Sequence, residues 1–105
     1  FVYSGVSSDE DITLVTELKG NYPNPFNPTT NISFSLANSG KVDLKVYNSK
    51  GQLVKTLVNT EMEAANHNVV WNGNDANGKS VASGVYFYRL QTKDFSSTKK
   101  MMLIK

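Results

Sequence analysis
The side chains that could do chemistry are few and far apart. The one histidine, His67, lies in the run His67-Asn68-Val69-Val70-Trp71-Asn72, where alternation puts it on the same face as Val69 and Trp71. A histidine in that setting reads as a strand residue with a satisfied ring rather than as a general base. The acids Asp9, Glu10, Asp11, Glu17, Asp43, Glu61, Glu63, Asp75 and Asp94 are spread through linkers, turns and strand exteriors. A carboxylate pair for acid-base work could come from distant positions, but nothing in the spacing selects one. Asp75-Ala76-Asn77-Gly78 sounds like a calcium loop. Setting Gly78 at position 6 of the twelve-residue pattern puts Gly73 at position 1 and Gly84 at position 12, so both essential carboxylates are missing. The stretch reads as a turn. No catalytic residue, metal or cofactor is expected.

Two surfaces could bind rather than react. Tyr3, Tyr47 and Phe95 are candidate rings for stacking on sugars, as in a carbohydrate-binding or spacer sandwich attached to a glycoside hydrolase. Isolated surface aromatics are also ordinary. The second surface is the end of the sequence, Thr98-Lys99-Lys100-Met101-Met102-Leu103-Ile104-Lys105, where four apolar residues stand between lysines. One reading is an edge strand whose lysines discourage edge-to-edge aggregation. The other is a strand presented to a partner by strand addition or charge. Physics alone prefers the first, and the two are compatible.

The elements that must position these residues are strands. Ile12 to Leu18 alternates and is a candidate first strand, ended by Gly20 and the prolines that follow. Ile32, Phe34 and Leu36 face one side against Ser33 and Ser35. The turn cluster Ala37-Asn38-Ser39-Gly40 then leads to Val42, Leu44 and Val46, which predicts a hairpin. Asn48-Ser49-Lys50-Gly51 is the next turn, and Gln52 to Val58 is a strand near an edge. Asn59 to Asn66 reads as a loop, followed by the Trp71 strand and a long polar loop from Gly73 to Gly84. Val85 to Leu90 is apolar on both faces, as in the middle of a sheet, and Phe95 to Ile104 is the last strand. About seven strands and no convincing helix predict an all-β, antiparallel, immunoglobulin-like sandwich.

A chain of 105 residues suits one domain with a two-layer core. It has no cysteine, so disulfides, thiol nucleophiles and thiolate metal sites are absent. A formal charge of +2 with 19% charged residues is too mild for a nucleic-acid binder. No apolar run is long enough to span a bilayer. The absence of a starting Met and of a leader pattern suggests a piece of a longer polypeptide, with residues 1–17 a linker and possible first strand and 18–105 the domain.

All three prolines fall in Asn21-Tyr22-Pro23-Asn24-Pro25-Phe26-Asn27-Pro28-Thr29-Thr30. Pro23, Pro25 and Pro28 each fix φ near the extended region and restrict the residue before them, and the Asn-Pro steps favour turns, so the segment reads as a stiff, low-entropy connector. Tyr22 and Phe26 are its expected anchors. This stretch, Val46-Tyr47-Asn48 with Gly51-Gln52-Leu53-Val54, Trp71-Asn72-Gly73 with Asp75 and Gly78, Val81 to Leu90 including Gly84 and Tyr86, and the terminal Lys99 to Lys105 together resemble the type A C-terminal sorting domain of the type IX secretion system. That family is similar in turn to the immunoglobulin-like domain of flagellar hook-capping proteins. The match covers about Leu18 to Lys105 and departs at Ala65-Asn66-His67, where the family usually has Gly before His. The resemblance implies a non-catalytic module that follows an N-terminal cargo domain. Outer-membrane secretion machinery would recognise it, and a sortase-like protease would remove it, with the cargo released or anchored at the cell surface. Cleavage is expected within or near Phe1 to Thr16, with Lys99, Lys100, Met101, Met102, Leu103, Ile104 and Lys105 as the presented element.

Overall fold
The computed structural model describes residues 14–105, and the expectations for residues 1–13, including the start of the first strand and Tyr3, lie outside them. Seven strands form: β1 Glu17–Tyr22, β2 Thr30–Ser35, β3 Gly40–Asn48, β4 Leu53–Met62, β5 Asn66–Trp71, β6 Gly84–Gln91 and β7 Ser96–Leu103. They pair antiparallel in two sheets, ordered β1-β2-β5 and β4-β3-β6-β7. The expected antiparallel, all-β sandwich is the observed fold.

The core follows from alternation. Ile32 and Phe34 on β2, Val42, Leu44 and Val46 on β3, Tyr86, Tyr88 and Leu90 on β6, and Met101 and Leu103 on β7 are buried between the sheets. As expected, β6 lies inside its sheet, between β3 and β7.

Four local expectations are corrected. Ala37 to Ser39 does not close a hairpin, because β2 and β3 belong to different sheets. Each strand has one apolar face, and an arch that turns those faces toward each other buries both. Next, β1 begins at Glu17 and continues past Gly20 to Tyr22. Leu18 pairs with Phe34 and Gly20 with Ser33, so Lys19 is the extra residue of a bulge. Gly20 therefore bends the strand instead of ending it. The expected loop from Asn59 shrinks because β4 follows the full length of β3, from Gly40 opposite Met62 to Tyr47 opposite Leu53. Two register shifts in that pairing also explain why Val54 and Leu57, three apart, both pack on the core. Finally, Pro23 to Pro28 is a series of bends around an isolated bridge at Phe26, so the turns favoured by the Asn-Pro steps prevail over the extended backbone expected at each proline.

Candidate functional site
The residues singled out in the sequence converge on one end of the sandwich. Phe26 is fully buried, with its ring centroid 5.7 Å from Trp71, and Trp71 in turn meets Tyr86 edge-on at 5.5 Å. The indole Nε1 of Trp71 donates to the Asn74 carbonyl at 2.8 Å. The Tyr86 hydroxyl donates to the Ala82 carbonyl at 2.6 Å, the geometry of a tyrosine corner at the start of a strand. Gly73 closes the cluster: at φ +75°, a Cβ there would lie 3.0 Å from the Pro28 carbonyl oxygen. The loop to β6 and the proline segment touch at a point where only glycine fits without strain. Tyr22 departs from expectation. Its ring is 81% exposed, so of the two rings Phe26 is the one that anchors the segment.

That anchoring reaches the last strand. The Phe26 amide donates to the Met102 carbonyl at 2.9 Å, and the Ile104 amide donates to the Phe26 carbonyl at 2.9 Å. The Met102 amide donates to Asn24 Oδ1 at 3.1 Å. The proline segment thus acts as a short parallel neighbour to the outer edge of β7. Met102 turns its backbone groups outward, and by alternation so do Thr98 and Lys100. Among the described residues, only the Met102–Ile104 end of that edge is covered.

The expected presented element Lys99 to Lys105 therefore divides. Met101 and Leu103 belong to the core at 1% exposure each, a correction to their inclusion. Lys99, Lys100, Met102, Ile104 and Lys105 are exposed. Lys105 is held at its amide by Ser83 Oγ and at Nζ by Ser80 Oγ. An apolar and basic pattern marks the strand in sequence, but which of its residues point inward depends on the register with β6.

The remaining candidates are occupied by the fold. His67 Nε2 lies 2.8 Å from the Glu63 carbonyl, and its ring stacks near Phe34 at 5.4 Å. Asp75 Oδ1 accepts the amides of Asn77 and Lys79, each at 2.9 Å, while Gly78 takes the positive φ of the turn. Its carboxylate is committed to backbone. Phe95 packs against the core, and Tyr47 has the Arg89 guanidinium over its ring at 5.3 Å. These two do not form a flat stacking platform. Burial raises the Tyr86 phenol above its ordinary value and pushes that of Tyr88 up to about 12. The Tyr88 hydroxyl donates to Asn21 Oδ1 at 3.0 Å, joining β6 to β1. A cleft of about 740 Å³ opens among Thr16, Leu36, Glu61, Lys93, Asp94 and Phe95.

Against known proteins, the model of the FlgD Ig-like domain matches residues 20–95. The chain belongs to the FlgD Ig-like domain family. Within that family's span lie the Phe26–Trp71–Tyr86 cluster, Gly73 and strands β2 to β6, while β7 falls outside it. A comparison with curated proteins found no match. Among solved structures, the dimeric latent PorU of Porphyromonas gingivalis is similar over 89% of this chain and 10% of its own, with a TM-score of 0.68 and 17% identity. PorZ of the same organism, an essential surface component of the type IX secretion system, is similar over 98% of this chain and 13% of its own, with a TM-score of 0.56 and 25% identity. FlgD from P. aeruginosa is similar over 85% of this chain and 67% of its own, with a TM-score of 0.58 and 24% identity. The chain thus spans about a tenth of the PorU and PorZ chains it resembles.

Proposed function
We propose that this chain is a non-catalytic signal module. It directs an attached N-terminal cargo protein through the type IX secretion system across the bacterial outer membrane to the cell surface or medium. A sortase-like protease then removes it near residues 1–16. The observation that carries this reading is the likeness to PorZ, a component of that system, over 98% of the chain. The ordered run of motifs from Asn21 to Lys105 supports it. Candidate polar groups such as Asp75 and His67 are engaged with backbone, which suits a folded signal better than an enzyme. The hypothesised recognition element is Lys99, Lys100, Met102, Ile104 and Lys105, the exposed part of the terminal strand.

The test fuses the 105-residue chain to the C-terminus of a fluorescent reporter, in a bacterium that has the system and in a mutant that lacks it. Reporter at the surface or in the medium of the first strain and held in the periplasm of the second is the expected result. Retention in both strains overturns the reading. Replacing Lys99, Lys100 and Lys105 by Gln should abolish delivery; normal delivery would remove the lysines from the recognition element.

A second reading, a structural domain of hook-capping type, draws on the family match and on the likeness to FlgD over 67% of that chain. It requires that the isolated domain oligomerise or bind hook protein. Sedimentation analysis with purified hook protein distinguishes it, since a secretion signal should stay monomeric and bind none.

A further inference from the structure
The outer face of the four-stranded sheet is not a uniform polar surface. The buried residues of β3, β6 and β7 fix which side chains point away from the core. The register then places Leu53, Tyr47, Phe87 and Lys100 in one row across all four strands. Val85 and Met102 pair in the row beside it. Three interstrand spacings of ~4.8 Å make the row about 14 Å wide. Leu53 and Met102 are 54% and 43% exposed, and Tyr47, Phe87 and Val85 are half-buried between them. On the other side, Lys45, Arg89 and Thr98 form the next row. The apolar strip is therefore bordered by Lys45, Arg89 and Lys100.

Charge on this face is lopsided. Its acids are Asp43, in the row beyond Lys45 and Arg89 and away from the apolar strip, and Glu61, which stands opposite Lys41 at the far end. Arg89 is held by a neutral group: its guanidinium donates to the Tyr47 hydroxyl at 3.0 Å and lies over that ring. The phenol orients the guanidinium without neutralising it, and leaves other N–H donors of the fork available to an anion.

We propose that this face docks a protein partner through an acidic segment carrying an apolar side chain. The apolar residue seats on the Tyr47–Phe87–Met102 strip, and carboxylates meet Arg89, Lys45 and Lys100. A second copy of the chain would set these cations against each other. Stacking of a sugar on Tyr47 is hindered by the guanidinium on its ring. Insertion into a lipid surface would need rings that stand proud, whereas Phe87 and Tyr47 are sunk between their neighbours. An acidic peptide satisfies both the strip and its border. This inference goes beyond the secretion reading: it shares Lys100 and Met102 with the hypothesised recognition element but rests on the sheet face around Tyr47, Phe87, Lys45 and Arg89, so Phe87→Ser and Lys45→Glu test it without touching the terminal lysines.

Selection of a random displayed-peptide library on the immobilised 105-residue chain tests it, with counter-selection on the Lys45→Glu/Lys100→Glu variant. Enriched peptides should pair Asp or Glu with an aromatic or aliphatic residue. A synthetic copy should shift amide resonances of β3, β6 and β7, bind at least ten-fold more weakly to the variant, and weaken as salt is raised. If the variant does not fold, Phe87→Ser in the parent background and the salt dependence give the same reading. No enrichment, shifts confined to Lys105 or the far cleft, equal binding of a Lys-substituted peptide, or preferential binding to phosphatidylglycerol vesicles would each overturn it. Loss of peptide binding with secretion intact would leave this proposal standing and separate the two surfaces.

Discussion
At the scale of single residues, the clustered end of the sandwich is held by shape rather than by charge. Phe26→Ala removes a fully buried ring from Trp71 and should cost about 3–5 kcal/mol in urea unfolding. Tyr22→Ala, in the same motif, should change stability by less than ~0.5 kcal/mol because its ring is in water. Equal losses would mean that both rings anchor the segment. Two glycines give a second contrast. Gly78→Ala meets nothing within 4 Å, so it loses only the cost of a positive φ, about 1–2 kcal/mol. Gly73→Ala adds a backbone clash with Pro28 and should cost at least about 1 kcal/mol more. Tyr88 supplies a pH signature. Its phenol is pushed up to about 12 by burial, so the folded state holds that proton where the unfolded chain, near 10, releases it. By proton linkage, stability is undiminished below pH 10 and falls as pH rises from 10 toward 12. Tyr88→Phe should flatten that fall while costing about 1 kcal/mol at neutral pH for the lost bond to Asn21. A fall unchanged in the variant would assign it to other groups.

At the scale of elements, β7 is both core and surface, which decides how its role can be tested. Met101 and Leu103 fill the core, while Lys99, Lys100 and Met102 face solvent. Deleting residues 99–105 should therefore abolish cooperative unfolding, since either core side chain alone is worth about 2–5 kcal/mol. The Lys99→Gln/Lys100→Gln/Lys105→Gln variant should melt within a few degrees of the parent by circular dichroism. A folded truncated chain would place less of the core in β7 than its burial indicates. The same element shows where sequence reading ends. Alternation gave the inward faces of β2 and β3, because their apolar residues recur every second position, whereas β6, apolar on both faces, showed only that it lies inside its sheet. It misplaced β1 and shortened β4, because bulges at Lys19 and within the β3–β4 pairing break the period of two. It also made a hairpin of β2 and β3, since a short turn cluster looks alike whether the chain returns to its own sheet or crosses to the other.

At the scale of the whole molecule, the two sheets are stitched where sequence pattern is least informative. Pro23, Pro25 and Pro28 announced a stiff segment, but nothing local told that it would lie along β7, some 75 residues away. A bond between Phe26 and Met102 or Ile104 has no sequence period to betray it. It does have a consequence that can be measured residue by residue. Both edge strands of the larger sheet need protection from adventitious pairing. β4 has its register shifts and the Ala76 amide bonded to the Val54 carbonyl at 3.1 Å, and β7 has the proline segment over one half. Native-state hydrogen exchange should divide β7 at Lys100. The outward amides of Thr98 and Lys100 should exchange with local opening free energies well below that of global unfolding. Those of Phe26, Met102 and Ile104 should approach the protection of Leu44 and Leu90 in the sheet interior. Replacing Phe26 with Ala should bring Met102 and Ile104 down to the level of Thr98, in excess of any global loss. Uniform protection along the outer edge, or a Phe26 variant that lowers all amides equally, would show that the segment stabilises the fold without covering this edge.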